Sequence, residues 1–570
     1  MRMKWWVVVG LLLVFSRAYA GTFTTADTLI PVADKADATP AGDTTPAAGA
    51  GIIHLDARIY IPDGLATPAP VIVVVPPFGG SKDSGFVIAL AQDFATQGYV
   101  VLTPTLRGFG NSEGLVTFAG PNEINDLKTM ILAMENGVIG DSPAVAIPVS
   151  GLSKFGMTGA SYGGGHSFEI IRTHVPGLAA VAPIIGWSDL YQALSPNDVP
   201  KFSYVVGLFA SGFDPQNPNY DDQLFDRTNQ LLSGNPEAAR TGDSDGIDWR
   251  SVIFNPTELT VPVFVIQGWR DWLFPAEQAI SLFQSSTNIP FFKLYIGGLG
   301  HAPATADITT PEAMYLQVQL VRWFDYWLKG TANGIVTEPN VTIGPELTAD
   351  WSEGALVSSN TFPVPGSGTI TFTLNGFSLS GSGPGGRANT VHGDSVGPAI
   401  FAPIESALGG GSTGFITAIA AANDLINAGG DVLSPSIVTD IDQDAKSVSF
   451  STGALPQDLH VMGVPQVSLS VSASAGETYY YVQIIERLAD GSTRLVTRGA
   501  FKDHTAKFKK VHQIDLSLFA LNHVFKAGSK IGLRIASRDF PFFLPNLDQG
   551  TFKISHGKRN PSSLTLPFVP

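Results

Sequence analysis

Residues 156–166 read GMTGASYGGGH, a single serine among small residues. A hydroxyl becomes a useful nucleophile only when a base takes its proton, and the base works best when a third group orients it. Glycine and serine also make flexible linkers. Here, however, the apolar stretch KFGMTG precedes the serine and SFEIIRT follows it, which predicts a buried strand turning into a helix. In that setting the G-x-S-x-G at 159–163 reads as a nucleophile elbow. Ser161 is expected in a strained backbone conformation that projects its hydroxyl from the sheet edge. Gly159 and Gly163 remove side chains that would clash in so sharp a turn. The helix N-terminus behind the serine favours developing negative charge.

A nucleophile of this kind calls for an acid and a histidine, in the chain order serine, acid, histidine. VPVFVIQG at 261–268 predicts a late parallel strand, and Asp271 follows it directly. The competing reading of Asp271 is an N-terminal cap for the helix that Pro275 opens. FFKLYIGGLGHAP puts His301 in a glycine-rich loop after the next strand. The other nine histidines lack such a place. His166 lies five residues beyond Ser161, inside the following helix, and reads as structural. Two backbone N–H groups are expected to hold an oxyanion. One belongs to Tyr162, next to the serine. The other is assigned to Phe78, in the loop PPFGGSKDS after an early strand; the competing reading there is a plain glycine-rich turn.

The elements that must position these groups are legible as a rhythm. PVIVVVPP and GYVVLTP are β-branched runs of the kind buried on both faces of a parallel sheet, with the helical spacing of SGFVIALAQDFATQ between them. NEINDLKTMILAMENG predicts a helix, GLAAVAPIIG a strand, PAEQAISLFQSS a helix and PEAMYLQVQLVRWFDYWLKG a long helix closed by Gly330. Residues 188–256 interrupt the alternation and read as a helical cap. After about 335 the texture changes to short alternating strands punctuated by Gly, Ser and Thr, the pattern of a β-sandwich or jelly roll. The expected organisation is therefore α/β at 51–335, all-β at 336–570, and a flexible arm at 21–50. The glycine-rich insert at 376–440 has no assigned form.

At 570 residues the chain is long enough for two or three domains, and its 15% charged residues suit a globular protein. A net charge of −15 argues against nucleic acid as a partner. Arg2 and Lys4, the apolar run WWVVVGLLLVF and the small residues AYA predict a signal peptide at 1–20. No later run is long enough to span a membrane. The expected protein is thus secreted, to the periplasm or beyond. The absence of cysteine excludes disulfides, thiolate catalysis and cysteine-ligated zinc. No metal or cofactor motif is present, so none is expected. Oligomeric state is not readable.

With these residues in place, the chain resembles the X-prolyl dipeptidyl peptidase and cocaine esterase family of serine hydrolases. RGFGNSEG at 107–114, MTGASYGG, VPVFVIQGWRDWLFP and RWFDYWLKG resemble segments of its catalytic domain. FSTGALPQDLHVMGVPQVSLSV and PSSLTLP resemble its C-terminal jelly-roll domain. The resemblance implies an α/β-hydrolase core, a helical cap, a β-rich C-terminal domain, and a triad of Ser161, Asp271 and His301. One departure stands out. These relatives often carry a tyrosine where this chain has Phe78, whose ring has no hydroxyl. Either the oxyanion hole uses backbone donors alone, or the alignment shifts by one residue.

Three functions fit this reading. The first is a peptidase releasing dipeptides, with a small peptide as substrate. It needs an acidic group for the substrate's free amine, and Asp189, Asp198, Asp214, Asp221, Asp222 and Glu237 in the cap are candidates. The second is an esterase or amidase for small acyl compounds, using the same acyl-enzyme chemistry. The third is a non-catalytic binding protein with a relic triad, against which the intact Ser, Asp and His argue. Tyr479 to Tyr481 offer an aromatic strip for binding, but a packed strand face is the preferred reading.

Overall fold

The structure, a computed structural model, describes residues 21–569 except 215–216, 233, 241–245, 255, 302–309, 382–383, 385–387, 393–445, 475, 506–509, 541 and 547–549. The segment at 1–20, expected to be a signal peptide, and most of the glycine-rich insert lie outside the described residues.

A ten-stranded sheet forms the first domain. Across it the strands run Phe23–Ala33, Ile52–Pro62, Val100–Pro104, Val71–Val75, Phe155–Ala160, Leu178–Ile184, Val263–Arg270, Phe292–Gly300, Val341–Ile343 and Val357–Ser359. Every pairing from Val100–Pro104 to Val341–Ile343 is parallel; the outer pairings are antiparallel. Helices Gly85–Thr96 and Pro311–Lys329 pack an apolar cluster with Ile72, Val74, Phe264 and Ile266. Helices Pro121–Met134 and Tyr162–Glu169 share the larger cluster with Val71, Val73, Met157 and Val265. Both faces of the central strands are therefore covered, which is why Val71–Val75 is apolar at every position.

From Val71–Val75 the chain first steps sideways to Val100–Pro104. It then returns and proceeds the other way through Phe155–Ala160 and Leu178–Ile184. The direction reverses between Val71–Val75 and Phe155–Ala160. At such a switch point the loops beyond the carboxyl ends of the strands diverge and leave a crevice. Phe78 follows the first of these strands and Ser161 the second.

Two domain boundaries differ from the sequence-based expectation. Residues 21–50 are no flexible arm. Phe23–Ala33 pairs with Ile52–Pro62 over its whole length, and Ile30, Val32 and Ala33 are buried. Beyond it, Ala36–Ala38 and Thr44–Pro46 form a small hairpin, and the Lys128 ammonium holds Asp43 at 2.6 Å. An edge strand needs apolar residues on one face only, so Thr, Ala and Asp dilute its signal. The α/β domain also extends beyond residue 335, because Val341–Ile343 and Val357–Ser359 complete its sheet.

The described residues of 190–258 form short α- and 3₁₀-helices with their connections, where the cap was expected. The C-terminal domain is all-β, with almost wholly antiparallel pairing around its own core of Leu469, Tyr480, Ile484, Leu533 and Ile554. Tyr479, Tyr480 and Tyr481 are buried there, so the aromatic run is a packed strand and not an exposed strip. No helix among the described residues is long and apolar enough to cross a membrane.

Candidate active site

The backbone at Ser161 has φ 58° and ψ −112°, a strained conformation for a residue with a side chain. The strand Phe155–Ala160 ends directly before it and the helix Tyr162–Glu169 starts directly after it. The flanking glycines are required by the neighbouring strand. A Cβ on Gly159 would lie 2.5 Å from the Val75 carbonyl oxygen, and a Cβ on Gly163 would run into the same atom. Gly164 is equally constrained, 2.6 Å from the Ile184 carbonyl oxygen.

Three side chains from three separate loops converge here. Ser161 Oγ is 2.8 Å from His301 Nε2. His301 Nδ1 is 2.8 Å from Asp271 Oδ2. Asp271 is fully buried. Its other oxygen, Oδ1, accepts from the backbone N–H groups of Leu273 (3.0 Å) and Phe274 (2.9 Å). Asp271 thus folds its own loop around itself, while Pro275, not Asp271, caps the helix Ala276–Ser285. The Phe274 ring meets the His301 imidazole edge-on at 4.9 Å and limits its rotation. Gln267 Nε2 donates to Asp271 Oδ2 at 3.3 Å and to the Phe274 carbonyl, tying the loop to the strand beneath.

Tyr162 begins the helix, so its N–H has no acceptor within the helix. Its side chain is anchored elsewhere. The buried phenol donates to Glu123 Oε2 at 2.6 Å and accepts from Ala119 N–H at 2.8 Å. Burial pushes the Tyr162 phenol well above its ordinary pKa. Burial also acts to raise Glu123. The hydrogen bonds from His166, Tyr162 and Thr117 outweigh it and hold that carboxyl below its usual value. His166 bridges Glu123 Oε2 (3.0 Å) and the Tyr162 carbonyl oxygen (2.9 Å), behind the elbow and away from Ser161 Oγ. Phe78 turns its ring into an aromatic group with Phe109, Phe118 and Tyr162, at centroid separations of 5.0–5.2 Å.

A cavity of about 460 Å³ opens onto Ser161 and His301. Phe78, Phe86, Leu90, Ile185, Leu208 and Leu316 contribute to its walls, and no charged residue does among the described residues. None of the six cap carboxylates reaches it. Asp189 caps the short helix Leu190–Leu194 through Gln192 N–H. Asp198 accepts from Tyr191 Oη, and Glu237 pairs with His504. Asp221 lines a different, smaller cavity inside the cap.

One residue escaped sequence reasoning. Lys201, in the segment VPKFSY just before the cap helix Phe202–Gly212, is fully buried. Its ammonium donates to the carbonyl oxygens of Trp272 (2.7 Å) and Leu273 (3.0 Å), within the loop that carries Asp271. Burial pulls this ammonium below its ordinary pKa and pushes the nearby Glu277 carboxyl above its own, each partner opposing the shift of the other. A lysine among prolines and aromatics was the only signal in the sequence.

The chain matches the family model for X-Pro dipeptidyl-peptidase (S15 family) over residues 50–303. It matches the X-Pro dipeptidyl-peptidase C-terminal non-catalytic domain over residues 325–565. Cocaine esterase of Rhodococcus sp. (strain MB1 Bresler) is 22% identical, over 91% of this chain and 96% of its own length. Among solved structures, an α-amino acid ester hydrolase superposes with a TM-score of 0.67 at 16% identity, covering 99% of both chains. An aminopeptidase from a marine sediment Thaumarchaeota archaeon gives 0.67 at 14% identity, covering 96% of this chain and 97% of that one. Two family models in the family's own order, on an α/β-hydrolase core followed by an all-β domain, leave one conclusion: the chain belongs to the X-Pro dipeptidyl-peptidase and cocaine esterase family of serine hydrolases.

Proposed function

We propose that the protein hydrolyses carboxylic esters with neutral, apolar acyl groups through an acyl-enzyme on Ser161. His301 Nε2 takes the hydroxyl proton as Ser161 Oγ attacks the ester carbonyl carbon. The Asp271 carboxylate holds the Nδ1–H and stabilises the imidazolium that forms. The N–H groups of Tyr162 and Phe78 receive the oxyanion of the tetrahedral intermediate. The intermediate collapses as the imidazolium returns its proton to the departing alkoxide. A water, deprotonated in turn by His301, then releases the acid.

The observation that carries the substrate class is the wall of the cavity at Ser161, which is uncharged among the described residues. Among the described residues a substrate's free α-ammonium would be stripped of water there with no carboxylate to receive it, an expensive transfer. A second reading, release of dipeptides from peptide N-termini, draws support from the family model matched at 50–303. A panel of p-nitrophenyl esters beside Xaa-Pro and Xaa-Ala anilides separates the two. Esters of medium-length acids are expected to give the higher kcat/KM. A Xaa-Pro anilide turned over more efficiently than every ester overturns the ester reading. We also infer export, on the leader-like composition of residues 1–20. Recovery of mature protein beginning at Gly21 outside the cytoplasm is the expected result.

A further inference from the structure

The peptide groups of the acid loop are held from both sides. The plane joining Trp272 to Leu273 offers its carbonyl oxygen to Lys201 Nζ and its N–H to Asp271 Oδ1. The plane joining Leu273 to Phe274 repeats the arrangement, with its carbonyl on Lys201 and its N–H on Asp271. Two amide dipoles thus lie between a buried cation and a buried carboxylate. A cation on a carbonyl oxygen polarises that amide and makes its N–H a better donor, so bonds in such a chain strengthen one another. Asp271 Oδ1 is occupied twice in this way, which leaves Oδ2 turned to His301.

Lys201 itself is walled in by the C-terminal domain. Its ammonium lies 4.6 Å from the Phe519 ring centroid. The Trp272 ring, on the loop being held, packs against Phe519 and Phe542 at 6.3 and 5.8 Å. Pro200 O, one residue before the lysine, accepts from Leu544 N–H at 2.8 Å. Glu277, on the helix after the acid loop, accepts from Ala520 N–H at 2.9 Å. Cap, acid loop and β-domain therefore meet at this one cation.

We propose that Lys201 is a positioning residue for Asp271, and that the C-terminal domain serves the reaction by holding Lys201 against the acid loop. The inference rests on the reading of Ser161, Asp271 and His301 as the reacting set. It gives a catalytic duty to a domain whose described residues contribute none to the cavity at Ser161.

The test uses the full-length chain and two variants, Lys201→Met and Phe519→Leu. Methionine keeps the length and apolar stem but removes the donors; leucine removes the π face beneath the ammonium together with the ring contact to Trp272. Three quantities are read: kcat and KM on a p-nitrophenyl ester, the rate of Ser161 labelling by an organophosphonate, and the far-downfield proton resonance of His301 Nδ1–H. Misplacement of a catalytic group by about 1 Å is worth on the order of 100-fold in rate. Lys201→Met is therefore expected to lower kcat and the labelling rate by about 10- to 100-fold, to leave KM within about twofold, and to shift or broaden the Nδ1–H resonance. Phe519→Leu is expected to do the same to a smaller degree. If Lys201→Met does not fold, Phe519→Leu carries the test alone. Variants that are labelled at the wild-type rate with an unmoved Nδ1–H resonance overturn the proposal. Failure of the wild-type chain to be labelled at Ser161 overturns the reading beneath it instead.

Discussion

Replacing Asp271 by asparagine exchanges one carboxylate oxygen for an NH₂ and leaves the shape almost unchanged. Which position the NH₂ takes is dictated by the loop. Leu273 N–H and Phe274 N–H both point at Oδ1, so that site must remain an oxygen. The NH₂ is left at the Oδ2 site, 2.8 Å from His301 Nδ1 and facing the Gln267 amide at 3.3 Å. His301 can meet a donor there only by making Nδ1 an acceptor, which moves its proton to Nε2. That nitrogen then presents N–H to Ser161 Oγ across 2.8 Å and can no longer take the serine's proton. Flipping the asparagine instead would set its NH₂ against two buried N–H groups, each costing about 1–3 kcal/mol when left without an acceptor. A wrong tautomer of this kind costs a serine hydrolase about 10⁴ in kcat, or about 5 kcal/mol of barrier. The assay is kcat on a p-nitrophenyl ester near neutral pH, with circular dichroism and melting to show that the variant is folded. A folded Asp271→Asn enzyme within about tenfold of wild type would refute the tautomer argument and move the role to another group.

Ser161→Ala is expected to lose on the order of 10⁴–10⁶ in kcat, and an organophosphonate should add its mass to the wild-type peptide bearing Ser161 and to no peptide of the variant. Phe78→Pro should lose about 10²–10³ in kcat with the fold intact, because only the backbone donor disappears, whereas Phe78→Tyr should be tolerated. A full rate in a folded Phe78→Pro enzyme would pass the donor role to Gly79. Gly163→Ala drives a Cβ into the Val75 carbonyl and should destabilise the chain by about 1–3 kcal/mol, read as a lower melting temperature. Burial pushes the Asp93 carboxyl up to about 6, and its Oδ2 is buried without a hydrogen-bond partner. A raised folded pKa favours folding below the unfolded value near 3.8 and loses that advantage as pH rises through about 6. Asp93→Asn should therefore melt higher than wild type at pH 7–8, with the gap closing as pH falls towards 4.

The three converging side chains were legible because each sits where a strand meets a loop, and strand ends are marked by apolar runs that stop abruptly. Ser161, Asp271 and His301 needed only order and position along such runs. The edge strand Phe23–Ala33 reads as an arm in the sequence because it buries one face and carries Thr, Asp and Pro on the other. The boundary near 335 falls short of the sheet's end because Val341–Ile343 and Val357–Ser359 are three residues each, too short for any periodicity. Lys201 was invisible for a different reason. Its role depends on two carbonyl oxygens some seventy residues downstream and on a ring in the other domain, and sequence spacing carries no trace of either. The choice between peptidase and esterase is not written in the sequence, because it depends on where the acids of the cap point in space, and none of the six considered reaches the cavity at Ser161.

The central sheet is closed at its two sides by strands that the hydrolase pattern does not announce, Phe23–Ala33 at one side and Val357–Ser359 at the other. A fragment trimmed to residues 51–335 would lose both, together with Val341–Ile343. Ile52–Pro62 and Phe292–Gly300 would then present rows of unpaired N–H and C=O groups to solvent, flanked by apolar side chains such as Ile59, Leu294 and Ile296. Bare edges of that kind recruit strands from other chains. A unit that holds the whole α/β sheet therefore starts near residue 22 and ends beyond 359. Attempts to express the catalytic domain from its motif boundaries should yield aggregates whose cause is the missing borders and not a fault in the catalytic core.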